Sequence, residues 1–306
     1  MNLKKIKKDN SGLATILIVV IVVVIVVVAA GAAYVVLSNN GGEDKSKDVP
    51  ALDDLAPGTV LRYDYFDGTS TYPFEIQYLG QNATDYFLKI TVTLSPLLLS
   101  QTYELEPKAA PSGAKKIGQE ERTTFEGKIK LDVWEYTVSG TAYKDYINPA
   151  NGLSYYTEAT KGTVTEKFTL KYHDVKRQTS YTPSNSVGKA YEYTGVDTAG
   201  LTYTSKLTMI ADCTGGKFGI KMDGSFTPVY FLSNNLQGLP LEAVKDAAAT
   251  PLAGTIDGTV MCEKWKFDLS NVEILFYVNA SSHIIYGFVC TFSDGSIVTF
   301  DLSKKP

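Results

Sequence analysis

The feature that most constrains this chain is an internal duplication. Shifting the sequence by 131 residues brings Gly127 onto Gly258, Trp134 onto Trp265, Ser139 onto Ser270 and Tyr146 onto Tyr277. The same shift brings Asn148 onto Asn279, Tyr155 onto Tyr286 and Thr160 onto Thr291, with no gap from 127 to 160. Ile129/Val260, Asp132/Glu263, Tyr136/Phe267 and Ile147/Val278 are conservative pairs in that window. Upstream, a shift of 130 superposes Gly58, Tyr63 and Asp67 on Gly188, Tyr193 and Asp197; at 132, Pro96 meets Pro228 and Phe168 meets Phe300. An offset that drifts so little over so long a stretch requires a fold that the chain builds twice. The reading is repeat one over 57–175, a linker over 176–186 containing Pro183, Ser184 and Asn185, and repeat two over 187–304.

Each repeat reads as antiparallel β. Val164, Glu166, Phe168, Leu170 and Tyr172 alternate with Thr163, Thr165, Lys167, Thr169 and Lys171, which is the period of a strand with one wet face. Ile284, Tyr286, Phe288 and Cys290 share a face in repeat two. Asp67-Gly68, Asn151-Gly152, Asp223-Gly224, Asp257-Gly258 and Asp294-Gly295 fall between such runs, and these pairs supply the positive φ of tight hairpins. Twenty tyrosines beside two tryptophans fit such a strand-and-turn chain. Six or seven strands per repeat, in meander order, are expected. The repeats differ most in the middle. Ser95 to Arg122 is rich in Pro, Lys and Glu, whereas in Leu236 to Leu252 the residues Leu241, Val244, Lys245 and Ala248 have helical spacing. A short helix or lid is expected there in each repeat.

The N-terminus sets the compartment. Leu13 to Leu37 carries no charged side chain over 25 residues, enough for a helix of about 37 Å against roughly 30 Å of hydrocarbon. In lipid every backbone group must be bonded internally, so its β-branched residues adopt helix. Residues 1–12 hold Lys4, Lys5, Lys7 and Lys8 against Asp9, a basic tail of +3 that places the N-terminus in the cytoplasm. With −4 on the whole chain, +3 on that tail leaves −7 outside. The polar stretch 38–56, with Asn39-Asn40-Gly41-Gly42 and Pro50, reads as a tether. Ala29 to Ala33 offers small residues to a signal peptidase, but Tyr34-Val35-Val36-Leu37 continues the apolar run and favours an uncleaved signal-anchor. Lys7-Lys8 and Ser11-Gly12 look like a prepilin cleavage site, which makes a pilin-like subunit a further alternative. The acidic residue that bacterial-type pilins carry early in the helix is absent from Leu13 to Leu17.

The latter half of each repeat resembles the lipoprotein-carrier-like half-barrels of the periplasm and cell surface. The residues are Trp134 followed by Tyr146-Ile147-Asn148-Pro149-Ala150-Asn151-Gly152-Leu153-Ser154-Tyr155. Repeat two keeps Trp265, Tyr277, Asn279 and Tyr286 and loses the Pro and Gly. The resemblance implies a curved sheet whose concave face holds an apolar ligand. The Val/Ile-rich anchor is similar to those of archaeal surface proteins.

Catalytic signatures are missing. There is no phosphate loop, nucleophile elbow, paired-His zinc helix or calcium loop, and Gly215-Gly216-Lys217-Phe218-Gly219 lacks dinucleotide spacing. His173 and His283, the only histidines, occupy different places in the repeats and read as surface or cross-strand residues. No cofactor, metal or catalytic residue is expected, and a pI near 5.4 argues against nucleic acid as a partner. The candidate positions are therefore structural or recognitional. Trp134 and Trp265 are either an aromatic platform or duplicated core, and Tyr155, Tyr156, Tyr191, Tyr193 and Tyr203 are either sticky stripes or ordinary strand filling. Asn82-Ala83-Thr84 and Asn279-Ala280-Ser281 are sequons open to glycosylation. Cys262 and Cys290 replace Leu131 and Ala159 at core-like positions and form the favoured pair if a bridge exists, leaving Cys213 free. The expected role is a single-pass, extracytoplasmic binding or envelope-structural protein. Its partners would be the membrane through Leu13 to Leu37 and an envelope polymer, a surface protein or an apolar ligand; the alternative is a carrier-like module.

Overall fold

A computed structural model describes residues 54–306 except 96–97, 109–110, 179–180, 183, 227, 235–237 and 270–271. The basic tail, the apolar segment 13–37 and nearly all of the tether lie outside the described residues. Among the described residues no helix is long and apolar enough to cross a membrane.

The chain divides into two compact units, one of residues up to Leu79 with Thr84–Tyr181, the other of Gly80–Ala83 with Thr182–Pro306. Unit one contains β2 (Val60–Phe66), β3 (Thr71–Gln81), β4 (Asp85–Ser95), β5 (Leu98–Pro107), β6 (Lys115–Thr124), β7 (Gly127–Val138), β8 (Thr141–Ile147), β9 (Ser154–Lys161) and β10 (Val164–Asp174). A small ribbon joins β1 (Asp54–Leu55) to β11 (Arg177–Gln178). Strand β2 is flanked by β3 and β10, and pairing continues antiparallel from β10 through β9, β8 and β7 to β6.

Unit two contains β12 (Ala190–Asp197), β13 (Thr202–Cys213), β14 (Phe218–Gly224), β15 (Val229–Ser233), β16 (Val244–Thr255), β17 (Gly258–Leu269), β18 (Val272–Asn279), β19 (Ile285–Phe292) and β20 (Ile297–Lys304). Its sheet runs β15-β14-β13-β12-β20-β19-β18-β17-β16. Each unit thus has nine main strands rather than six or seven. The first strand of each is inserted beside the last, a closure that links residues more than a hundred apart.

The middle segments are strands, not helices. Among the described residues the helical content is the single 3-10 turn Thr214–Gly216. Segment 95–122 supplies β5 and most of β6, and 236–252 supplies much of β16. The helical spacing around Val244 has a physical origin in that strand: its register against β17 slips at Lys245/Ala247, Ala247/Thr250 and Leu252/Thr255. Each bulge inserts a residue, and a period of two interrupted by extra residues mimics three-four spacing. Pro251, which a helix interior would reject, sits opposite Met261 in the ladder.

Four of the five expected Gly turns are present, with φ of +95° at Gly68, +69° at Gly152, +85° at Gly258 and +85° at Gly295, whereas Asp223 and Gly224 are the last residues of β14, paired with Lys206 and Ser205. The core of unit one gathers Tyr63, Tyr65, Phe74, Tyr78, Tyr86 and Phe168, and that of unit two Tyr193, Phe231, Phe276, Phe288 and Phe300. Full burial of each such ring contributes on the order of 1.5–3 kcal/mol by area. Tyr155 and Tyr193, read above as possible wet-face stripes, are 0% and 1% exposed and belong to these cores, whereas Tyr156, Tyr191 and Tyr203 are half-buried at their margins.

Candidate functional site: one row of residues, polar in unit one and apolar in unit two

Register pairing lays one transverse row across each sheet. In unit one it runs Trp134, Asp145, Thr157, Phe168, Tyr65 over β7, β8, β9, β10 and β2. In unit two it runs Trp265, Phe276, Phe288, Phe300, Gly195 over β17, β18, β19, β20 and β12. The tryptophans stand at the same end of the same row. Both are half-buried; Trp265 donates from Nε1 to Glu263 Oε2 at 3.2 Å.

The rows are filled by different means. Tyr65 stacks on Phe168 with centroids 4.7 Å apart. In unit two Gly195 replaces the tyrosine, and a Cβ there would lie 2.5–2.9 Å from three ring atoms of Phe300. Phe288 supplies the stacking partner instead, at 4.6 Å. A large residue lost from one strand is balanced by one gained two strands away.

The chemistry differs where Asp145 stands against Phe276. Asp145 is 0% exposed. It accepts from Tyr136 Oη at 2.6 Å, from the Thr157 hydroxyl, and from Ser154 Oγ at 3.4 Å. Burial outweighs these three donors and pushes its carboxyl up to about 7. One step along, Glu166 is 5% exposed and is likewise pushed up to about 7 by burial, against the Tyr65 hydroxyl that favours its charge. At the corresponding position in the β12–β20 pair unit two has Val298, opposite Asp197. Tyr136 stacks on Tyr143 at 5.1 Å, and both line an open recess of about 620 Å³. Its other walls are Ser112, Lys115, Glu135, Lys144, Glu158 and Thr160, among others. Asp145 therefore reaches a polar, mixed-charge mouth through Tyr136.

A second repeated arrangement pins the β6–β7 and β16–β17 hairpins. Thr124 Oγ1 donates to Gly127 O at 2.9 Å and Thr255 Oγ1 to Gly258 O at 2.6 Å. The acid at each tip accepts from a core tyrosine, Glu126 from Tyr155 and Asp257 from Tyr286. Each acid also meets a basic side chain at the end of the last strand. His173 Nε2 lies 3.2 Å from Glu126 in unit one, and Lys305 pairs with Asp257 in unit two. The lysine is the leading cause that holds the Asp257 carboxyl below its ordinary range.

The Tyr-x-Asn motif shapes the β8–β9 and β18–β19 turns. Asn148 N donates to Leu153 O at 2.9 Å and Asn279 N to Ile284 O at 2.8 Å. Gly152 closes the first turn at φ +69°, and His283 occupies the matching place at φ +57°. A side chain in this left-handed region costs roughly 1 kcal/mol. His283→Gly is therefore expected to raise unfolding free energy by about 0.5 kcal/mol, after the greater entropy of unfolded glycine is subtracted. Urea denaturation measures it; a loss above 1 kcal/mol would assign the imidazole a contact of its own.

The sequons lie at turn positions. Asn82 follows β3, half-buried, with Nδ2 donating to Ile210 O at 2.8 Å. Asn279 is 8% exposed; its Nδ2 donates to Met261 O at 3.3 Å and its Oδ1 caps Ser281 and Ser282. Neither amide nitrogen is free for a glycan while these bonds hold. The cysteines are free thiols. Cys290 is level with Phe267 through Ile274, while Cys262 is five residues further along β17. Strand geometry puts that at about 17 Å along and two strands across, on opposite pleats, against a limit of about 7 Å for a bridge. The Cys262–Cys290 pairing is thus corrected: the odd separation from Phe267 sends the two thiols to different faces. Burial pushes the Cys213 and Cys290 thiols up to about 12 and also raises Cys262.

Asp145, Glu166 and the Glu126–Tyr155–His173 group were not among the sequence candidates. For Asp145 and Glu166 the signal was present in the alignment of the two halves, where each carboxylate faces an apolar residue, Phe276 and Val298.

No family model and no curated protein matches the chain. Among solved structures it is similar to MucB, at 9% identity and a TM-score of 0.31 over 83% of this chain and 89% of that one. It is also similar to the Pseudomonas aeruginosa MucA/MucB complex, at 9% identity and a TM-score of 0.29 over 81% of this chain and 88% of that one. A protein of unknown function of the DUF3598 family from Nostoc punctiforme follows at 7% identity and a TM-score of 0.16, over 81% of this chain and 96% of that one. Nothing in these likenesses points to an archaeal origin. At scores this low the function has to be read from the chain's own residues.

Proposed function

We propose that this is a membrane-anchored extracytoplasmic binding protein in which unit one carries the ligand recess and unit two is a structural copy of the same sheet. Leu13 to Leu37 anchors it with the N-terminus inside, and it acts by binding, without catalysis. The observation that carries this reading is the contrast between the two rows. Burying an ionisable carboxyl costs free energy that an apolar replacement avoids, and unit two makes that replacement at both positions. Unit one keeps both carboxyls buried, with Asp145 behind a recess, reached through Tyr136, that is rimmed by hydroxyls and by Lys115, Lys144, Glu135 and Glu158. Retained cost beside a concave polar surface supports recognition.

The rim suits a polar ligand with hydroxyls or charges of both signs. The carrier alternative needs an apolar hollow, and the inner rows are occupied by the protein's own aromatic rings. The duplication belongs to this proposal, supported by the matching order of β2 and β10 to β6 with β12 and β20 to β16 and by bonds recurring at offsets of 130 and 131, such as Tyr63 Oη to Ser154 O and Tyr193 Oη to Ile285 O.

The test is native mass spectrometry of the protein extracted from its own membranes, wild type beside Lys144→Glu. A polar adduct on the wild type that is lost in the variant is the expected result. A lipid adduct indifferent to the variant would replace this reading with the carrier. External protease on intact cells should remove both units; protection of either would overturn the topology.

A further inference from the structure

The two hairpin clasps are built alike except at the base and in the length of the acid, Glu126 against Asp257. In each, a threonine bonds back across the hairpin turn, an acid at the tip accepts from a buried tyrosine, and a basic side chain at the end of the last strand completes the group. That base is His173 in unit one and Lys305 in unit two. A lysine so placed is charged throughout the physiological range, whereas an imidazole changes charge between about pH 5 and 8.

We propose that the β6–β7 hairpin of unit one is held by a proton-operated clasp, Glu126–His173–Tyr155, which tightens on acidification, whereas the β16–β17 hairpin of unit two is held by Asp257–Lys305–Tyr286 regardless of pH.

The geometry fixes the sign. Glu126 presents one carboxylate oxygen to His173 at 3.2 Å and the other to the Tyr155 hydroxyl, which itself lies 3.5 Å from His173 Nε2. Protonating His173 turns that contact into an ion pair. Deprotonation leaves at most a neutral Nε2–H hydrogen bond to the carboxylate, weaker than the ion pair. Phe125 at the tip stacks on Tyr155 at 5.9 Å and meets the His173 ring edge-on at 5.8 Å, so the tip rests on the same two residues the proton controls. The charged and titratable groups around His173 are few. The hairpin gives Glu126 and β9 gives Tyr155. On its own strand Asp174 is neutralised by Lys176 at 3.6 Å, and on β2 Arg62 is engaged by Glu75 at 2.7 Å. Arg177 holds the carbonyl of Asn151, whose Nδ2 donates to Tyr155 Oη at 3.1 Å.

Beyond the clasp, the hairpin is tied to β9 by the Tyr156 hydroxyl, which donates to Thr123 O, and to β8 by the Arg122 guanidinium 3.7 Å over the Tyr146 ring. Among the described residues β6 pairs with β7 alone, and its residues are mostly exposed. Asp145 and Glu166 lie in the same unit, at positions where unit two has Phe276 and Val298. The proton-sensitive positions thus gather in one copy of the fold. The clasp stands whatever the recess binds.

Hydrogen exchange on the full chain tests it, with protection over 119–131 and 250–262 followed from pH 5 to pH 8 and corrected for intrinsic rates. Protection of the unit-one hairpin is expected to fall by about two- to five-fold as pH rises, the range for a partly exposed ion pair, while that of unit two stays flat. His173→Lys should flatten unit one, and Lys305→His should give unit two the same slope. Because the variants exchange residues that each clasp already tolerates, both are expected to fold. A wild-type unit-one hairpin with flat protection would overturn the proposal, as would a slope that His173→Lys leaves unchanged.

Discussion

Asp145→Asn is expected to stabilise unit one at pH 8 by on the order of 4 kcal/mol, and at pH 5 by only about 1–2 kcal/mol. The folded carboxyl is pushed up to about 7 from an ordinary value of 3.8, because burial outweighs its three hydroxyl donors. A carboxyl raised in the folded state contributes full stability below its unfolded value. That contribution drains away as pH rises from about 4 to about 7, at roughly 1.4 kcal/mol per pH unit. Asparagine keeps the shape, and its amide oxygen accepts from Tyr136 or Thr157, yet it has no charge to bury. Denaturant unfolding at the two pH values measures the difference. A variant equally destabilised at both would show that Asp145 is held ionised, and would remove the contrast on which the proposed recess depends.

Phe288→Ala should cost unit two about 3–5 kcal/mol, the range for removing a fully buried ring. Phe288 is 0% exposed and packs against Tyr193 at 5.1 Å, Phe276 at 5.7 Å and Phe300 at 4.6 Å. Its counterpart in unit one is the much smaller Thr157, so the equivalent alanine there empties far less of the row. Calorimetry should show the unfolding of unit two moving to lower temperature while that of unit one stays in place. A loss below 1 kcal/mol would mean that Phe300 and Gly195 collapse into the space, and the side-chain balance described for this row would be wrong.

The segments legible in sequence were those governed by local physics. Asp-Gly and Asn-Gly pairs demand positive φ, so the hairpin turns at Gly68, Gly152, Gly258 and Gly295 were readable residue by residue. Alternation along β10 needed no partner to be recognised. The helix read around Val244 failed because spacing alone does not distinguish a helical face from a strand interrupted by bulges; the register slips belong to the pairing with β17. The Cys262–Cys290 bridge failed for a related reason. Both residues are buried, but burial says nothing of pleat parity, and a five-residue offset from Phe267 reverses the side.

What the sequence determined by itself is the strand-built organisation: its turns and the alternation along its strands are written in residue identities and short-range sterics. What only the tertiary structure decided is which residues form a row. Trp134, Asp145, Thr157, Phe168 and Tyr65 are spread over a hundred positions and are brought into line by β2 pairing with β10. The environment of Asp145 follows from that closure, since a carboxyl's affinity for its proton depends on what surrounds it in space. The exchange of Tyr65 and Thr157 for Gly195 and Phe288 follows in the same way. Filling a core constrains the summed volume across neighbouring strands, and leaves open which strand supplies it.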